Sequence, residues 1–111
     1  MQTIDKTWDG LTIEGTLIVG ILFAGARHKH FIMRIPMAGD LVSAQEDHPN
    51  APLQVVTMAT YHRQLLAVGD IPSESLTFDL IKAELAEIDL ALLAAADQKL
   101  EERLAQPASE N

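Results

Sequence analysis

Two periodicities divide the chain. From Thr12 to Ala24 the residues run Thr-Ile-Glu-Gly-Thr-Leu-Ile-Val-Gly-Ile-Leu-Phe-Ala, β-branched and apolar positions interrupted by glycines that would break a helix. Ala24-Gly25-Ala26-Arg27 then reads as a turn, with Gly25 free to adopt a positive φ. After His28-Lys29, the positions Phe31, Met33 and Ile35 alternate with His30, Ile32 and Arg34. That period of two leaves one face apolar and the other mostly polar. A β-hairpin over about residues 12–35, ended by Pro36, accounts for both segments. Its first strand is apolar on both faces: Leu17, Val19, Ile21 and Phe23 on one, Ile18 and Leu22 on the other.

Beyond residue 37 the period becomes helical. Gly39-Asp40 opens a short helix to about Asp47, with the Asp40 charge near its positive end. His48-Pro49-Asn50-Ala51-Pro52 is a loop, because its two prolines leave no room for a helix. The spacing of Val55, Met58, Ala59, His62 and Leu65 or Leu66 predicts a second helix from Leu53 to Val68, capped by Gly69 and stopped by Pro72. Ser75 or Thr77 caps a third stretch, in which Ile81, Leu85, Ile88, Leu92, Ala96, Leu100 and Leu104 step by three or four. This is an amphipathic helix with a potential break near Ala86–Glu87.

The expected fold class is therefore α+β, an N-terminal β-hairpin followed by three or four α-helices, the last long and amphipathic. Residues 1–11 form an N-terminal extension, 12–105 a single domain whose helical part begins near 38, and 106–111 a flexible tail frayed from Pro107 onward.

Composition narrows the functions available. The chain has 111 residues, 48% of them apolar, and a net charge of −8. The basic excess is confined to residues 1–36, and nearly all the negative charge follows it. Such a balance argues against nucleic acid and anionic membranes as partners. The absence of cysteine excludes disulfides, thiolate zinc sites and cysteine nucleophiles, and fits a reducing compartment. The N-terminus lacks the basic start and apolar stretch of a signal peptide, and the run from Thr16 to Ala26 is too short to span a bilayer. A soluble, intracellular protein is expected.

Few residues invite chemistry. His28 and His30, two apart on a strand, would share a face and supply two metal ligands. A site needs more, and His48, His62 or a carboxylate would have to converge on them, so a polar hairpin edge is preferred. His62 reads as a half-buried helix residue, because no partner for a general base is evident. Glu84, Glu87, Glu101 and Glu102 read as a solvated helix face. No P-loop, G-x-G-x-x-G, H-E-x-x-H or G-x-S-x-G pattern occurs. No catalytic, metal or cofactor residue is assigned, and an enzyme is not expected.

What stands out is the surplus of apolar side chains. Ile18 and Leu22 occupy the second face of strand one, Ile32 the polar face of strand two, and Leu80, Leu90 and Leu93 lie beside the main helical stripe. These six are the candidate partner-binding residues, for a second copy of the chain or an apolar helix of a client. The negative charge would keep so adhesive a surface soluble.

The order of pieces also resembles a known family. An apolar hairpin runs through Phe31-Ile32-Met33-Arg34-Ile35-Pro36 to Ala38-Gly39-Asp40. Arg63-Gln64-Leu65, Gly69-Asp70-Ile71-Pro72 and Leu76-Thr77-Phe78-Asp79-Leu80 follow, before a closing Leu/Ala/Glu-rich helix. This is similar to the small tail assembly chaperones of Mu-like phages and prophages, over about residues 12–105, in order and character rather than through a diagnostic motif. The resemblance implies a non-enzymatic protein of the bacterial host cytoplasm that coats the long helical tape-measure protein until tail-tube subunits polymerise around it, and that is absent from the finished virion. It also implies a longer form of the chain made by ribosomal frameshifting, and brings no catalytic residue with it. Two other readings compete: an acidic prophage module that inhibits another protein, and a metal-binding protein built on His28 and His30.

Overall fold

The computed structural model describes residues 6–105. Strands β1 (Thr12–Phe23) and β2 (Ala26–Arg34) form the expected hairpin. Helices α1 (Ala38–Asp47) and α2 (Leu53–Gln64) follow, then strand β3 (Leu65–Val68), helix α3 (Phe78–Glu84) and helix α4 (Glu87–Ala105). The sheet is antiparallel, in the order β1-β2-β3. The fold is α+β, with a three-stranded sheet and four α-helices among the described residues, the last the longest. The tail expected at 106–111 lies outside the described residues.

The hairpin closes through two residues, Ala24 and Gly25, with φ of 52° and 80°. Two consecutive positive values match the twist of the strands they join, which is why such turns favour Asn-Gly. Further along, the pairing slips: Thr16 sits opposite His30 but Ile21 opposite His28, so β1 carries extra residues and bulges. Gly20, at φ 87°, makes the bend, and a Cβ there would stand 2.8 Å from the Lys29 side chain. Bulges of this kind free backbone groups from the ladder. Here the N–H groups of Ile18, Val19 and Gly20 all donate to the carboxylate of Asp89, at 2.6, 2.9 and 2.9 Å.

The second helix is shorter than its apolar spacing suggests. It stops at Gln64, and Leu65–Val68 turns into β3, pairing with Phe31–Met33 of β2. Leu65, Ala67 and Val68 are thereby buried, and a ladder of hydrogen bonds replaces the last helical turn. Gly69 consequently does not cap a helix. It turns the chain after the strand at φ 53°, and its N–H donates to the His30 carbonyl. Tertiary pairing has overridden local spacing.

The last helical stretch breaks between Glu84 and Glu87. Thr77 Oγ1 caps α3 by accepting from the Leu80 N–H. After the break the buried stripe of α4 is Asp89, Leu93 and Leu100, while Ile88 and Leu104 face solvent. Leu92 and Ala96 of the expected stripe also pack on the core, so the stripe is widened toward Asp89 and Leu93, with Asp89 held against the bulge, and only Ile88 and Leu104 depart from it. The main core lies between the sheet and these helices: Leu17, Ile21, Phe31, Met33, Leu65, Val68, Ile71, Leu76, Ile81 and Leu93. A smaller cluster, Ala44, Val56 and Ala59, joins α1 to α2.

An ion pair fastens these two helices to the sheet. Arg34 donates from both terminal nitrogens to Asp40, at 2.7 and 2.9 Å, and also to the carbonyl of Arg63. The Met37 N–H donates to the same Asp40 carboxylate, closing the first turn of α1. On the other side, the Trp8 ring lies 4.7 Å from the guanidinium.

Candidate functional site

Two concave surfaces among the described residues bring candidate contact residues together. The first is a groove of about 390 Å³ between α2 and α4. One wall carries Leu53, Thr57 and Tyr61, spaced by four along α2; the other carries Leu90, Ala91 and Ala94 of α4. Each wall is a helix face, and the alanines keep the floor low, so the opening suits another helix laid alongside. Leu53 is 76% exposed at its end. Burial, helped by the negative charges of Asp97 and Glu101, pushes the Tyr61 phenol above its ordinary range, so it stays protonated at neutral pH.

The second is a cavity of about 630 Å³ lined by Arg27, Lys29, His30, Ile32, Ala67 and Asp70. Ile32 lies between Phe31 and Met33, which point into the core, so it faces the opposite side of the sheet. Ala67 pairs with it there.

The six candidate partner-binding residues are scattered by the fold. Ile18 and Leu22 are exposed on β1, at 56% and 40%. Leu90 lines the α2–α4 groove. Leu80 is half-buried against the main core. Ile32, 7% exposed, floors the second cavity. Leu93 does not belong to any surface: it is 1% exposed and part of the main core, because the buried face of α4 extends from Leu92 and Ala96 to include it. It is a core residue, not a contact residue. The groove residues Leu53, Tyr61, Ala91 and Ala94 escaped sequence reasoning. The spacing by four of Leu53, Thr57 and Tyr61 was there to be read, hidden by the stronger stripe on the other face of α2.

The histidines do not converge. The register slip of the hairpin falls between His28 and His30, so the two rings part. His28 lies against Gly69, with Nε2 3.1 Å from the Phe23 carbonyl and Nδ1 accepting from the Asp70 N–H at 3.2 Å. This pairing fixes the proton on Nε2. His30 meets Glu14 at 2.9 Å on the exposed face. The half-buried His62 meets the Leu76 carbonyl at 2.8 Å and approaches the Phe78 ring edge-on. Among the described residues no group of three or more His, Asp or Glu is placed to hold a metal ion. Nor is any described helix long and apolar enough to cross a membrane.

No protein-family model, curated protein or solved structure matches this chain.

Proposed function

We propose that this protein is a phage tail assembly chaperone, which binds helical segments of the tape-measure protein and shields them until the tail tube polymerises. The observation that carries the reading is the α2–α4 groove, whose two helix faces leave an apolar trough open to solvent. A helix is about 10 Å across with its side chains, and an amphipathic one would bury its apolar stripe between Leu53 and Leu90. The order of apolar, acidic and Leu/Ala-rich segments along the chain supports the same role. The work is binding rather than catalysis, in the cytoplasm of the bacterial host, and the protein leaves before the virion is complete. Tail-tube subunits, and a longer frameshifted form of the chain, belong to the same assembly.

The test is co-expression with the tape-measure protein encoded nearest to it. The chain should keep that client soluble and co-purify with it. Leu53→Asp, at an exposed position, should abolish co-purification while the circular dichroism of the chaperone stays unchanged. A client that remains insoluble with the wild-type chain, or that binds Leu53→Asp equally well, rejects the groove as its seat.

A further inference from the structure

The cationic side chains of this acidic protein divide into engaged and unengaged ones. Arg34 is bound to Asp40, Arg63 to Asp47 and Arg103 to the Thr12 carbonyl. Lys82, Lys99, Arg27 and Lys29 are exposed and make no side-chain hydrogen bond or ion pair among the described residues, but only Arg27 and Lys29 stand together. Both line the cavity on the sheet face away from the core, beside the exposed His30. The cavity floor is apolar, formed by Ile32 and Ala67. At the same place the sheet is incomplete. Strand β2 runs from Ala26 to Arg34, but β3 pairs only with Phe31–Met33. The chain leaves the sheet at Gly69, and no described strand pairs with Ala26–Lys29 on that side.

We propose that this cavity binds an extended, acidic segment of another protein. An apolar side chain of the segment rests on Ile32 and Ala67, while its carboxylates reach Arg27 and Lys29. Its backbone pairs with the edge of Ala26–Lys29 beyond the Gly69–Asp70 turn, which already holds the His30 carbonyl and the His28 ring, so main-chain hydrogen bonds add affinity and the alternating side chains add selectivity. The floor distinguishes this ligand from a simple anion, which gains nothing from buried apolar surface. The surrounding charge limits the segment to a few carboxylates: one or two meet only Arg27 and Lys29, whereas a polyanion such as nucleic acid would also run past Glu14, Asp70 and the rest of a chain of net charge −8. The proposal concerns a different face from the α2–α4 groove and does not depend on the helical client.

The experiment uses fluorescence anisotropy with the full chain and a short labelled, capped peptide of alternating leucine and glutamate, carrying two glutamates. The wild type should bind it, about tenfold more weakly when salt is raised from low to physiological strength. Arg27→Glu and Lys29→Glu should each weaken binding about tenfold or more without changing the circular dichroism, both side chains being exposed. A serine–glutamate peptide should bind far less well, for want of the apolar anchor, and Lys29→Gln should fall between Lys29→Glu and wild type. Several results overturn the proposal: no binding at millimolar peptide, equal binding by the charge-reversed variants, equal binding of a leucine–lysine peptide or a single-stranded oligonucleotide, or full displacement by inorganic phosphate.

Discussion

The N–H of Gly20 donates to the carboxylate of Asp89 across 2.9 Å, in a buried site where water cannot substitute for either partner. The chain reaches this contact from both ends. A glycine lets β1 bend at positive φ, and a helix break after Glu84 lets α4 begin with Asp89 in its first turn. The carboxylate also takes the N–H groups of Ile18 and Val19, so three donors freed by the bulge are satisfied by one anion. Successive N–H groups of this kind form a natural anion cradle. It decides the rotation of α4, and hence which leucines of that helix are core and which line the groove.

Replacing Asp89 by alanine should therefore destabilise the domain by about 3 kcal/mol or more, since buried donors lose an ionised acceptor and gain nothing. Asp89→Asn should cost about half as much, its single carbonyl oxygen serving fewer donors. Gly20→Ala should also destabilise, because the bend needs positive φ and the new Cβ would meet Lys29 and the His28 carbonyl. Urea unfolding of the three variants tests the ranking. Wild-type stability for Asp89→Ala would mean that the bulge holds without its anion.

The Arg34–Asp40 pair yields a prediction about acid. The guanidinium bonded to it, aided by the Met37 N–H, holds the Asp40 carboxyl below its ordinary 3.8, although burial works the other way. A carboxyl depressed in the folded state stabilises above its unfolded pKa, and that contribution disappears as pH falls through the folded value. Asp40→Asn should thus lower stability by about 2 kcal/mol at neutral pH. The gap between variant and wild type should stay constant down to about pH 4 and narrow below it. Chemical denaturation at a series of pH values measures this. A gap independent of pH would show that packing, not charge, holds α1 in place.

What could be read from the sequence was local. The hairpin ends, the Thr77 cap and the break near Ala86 follow from turn chemistry and caps, which act over a few residues. The strand at Leu65–Val68 could not be separated from the end of a helix, because its stabilising partner is Phe31–Met33, more than thirty residues upstream. Its run of four apolar residues before Gly69 was nevertheless a strand signature. The bulge was hidden for the same reason: Gly20 was visible as a glycine, but nothing near it in sequence names Asp89. The expected stripe holds at Ile81, Leu85, Leu92, Ala96 and Leu100, which are buried or packed on the core, but Ile88 is exposed and a buried carboxylate, Asp89, takes its place beside Leu93. The groove was half legible, since Leu90 was picked out and Leu53 and Tyr61 were not.

The hairpin turn offers a stabilising change. Ala24 adopts φ 52°, a conformation that an L-residue with a Cβ enters at a cost of about 1 kcal/mol. Asn tolerates it far better, and Asn-Gly is the preferred pair for a two-residue turn of this geometry. Ala24→Asn should raise stability by about 0.5–1 kcal/mol, and Ala24→Gly by less, its unfolded chain having more freedom to lose. Thermal melts at matched concentration decide. A lower midpoint for Ala24→Asn would mean that the turn is held by contacts outside its own backbone.

Ile18 and Leu93, both apolar and both candidates for contact on sequence grounds, should respond oppositely to charge. Leu93 is enclosed by the main core, so Leu93→Ala should cost about 3 kcal/mol through the cavity it leaves, and Leu93→Asp should prevent folding. Ile18 stands exposed on the bulge of β1, its N–H already held by Asp89. Ile18→Asp should leave the urea midpoint almost unchanged, provided the backbone bond survives. Its nearness to the buried carboxylate makes this a demanding case, so Ile18→Ser, uncharged and of similar exposure, separates repulsion of Asp89 from loss of packing. Equal loss of stability in the aspartate and serine variants would mean that Ile18 packs against the core after all; loss in the aspartate alone would report the field of Asp89 at the surface.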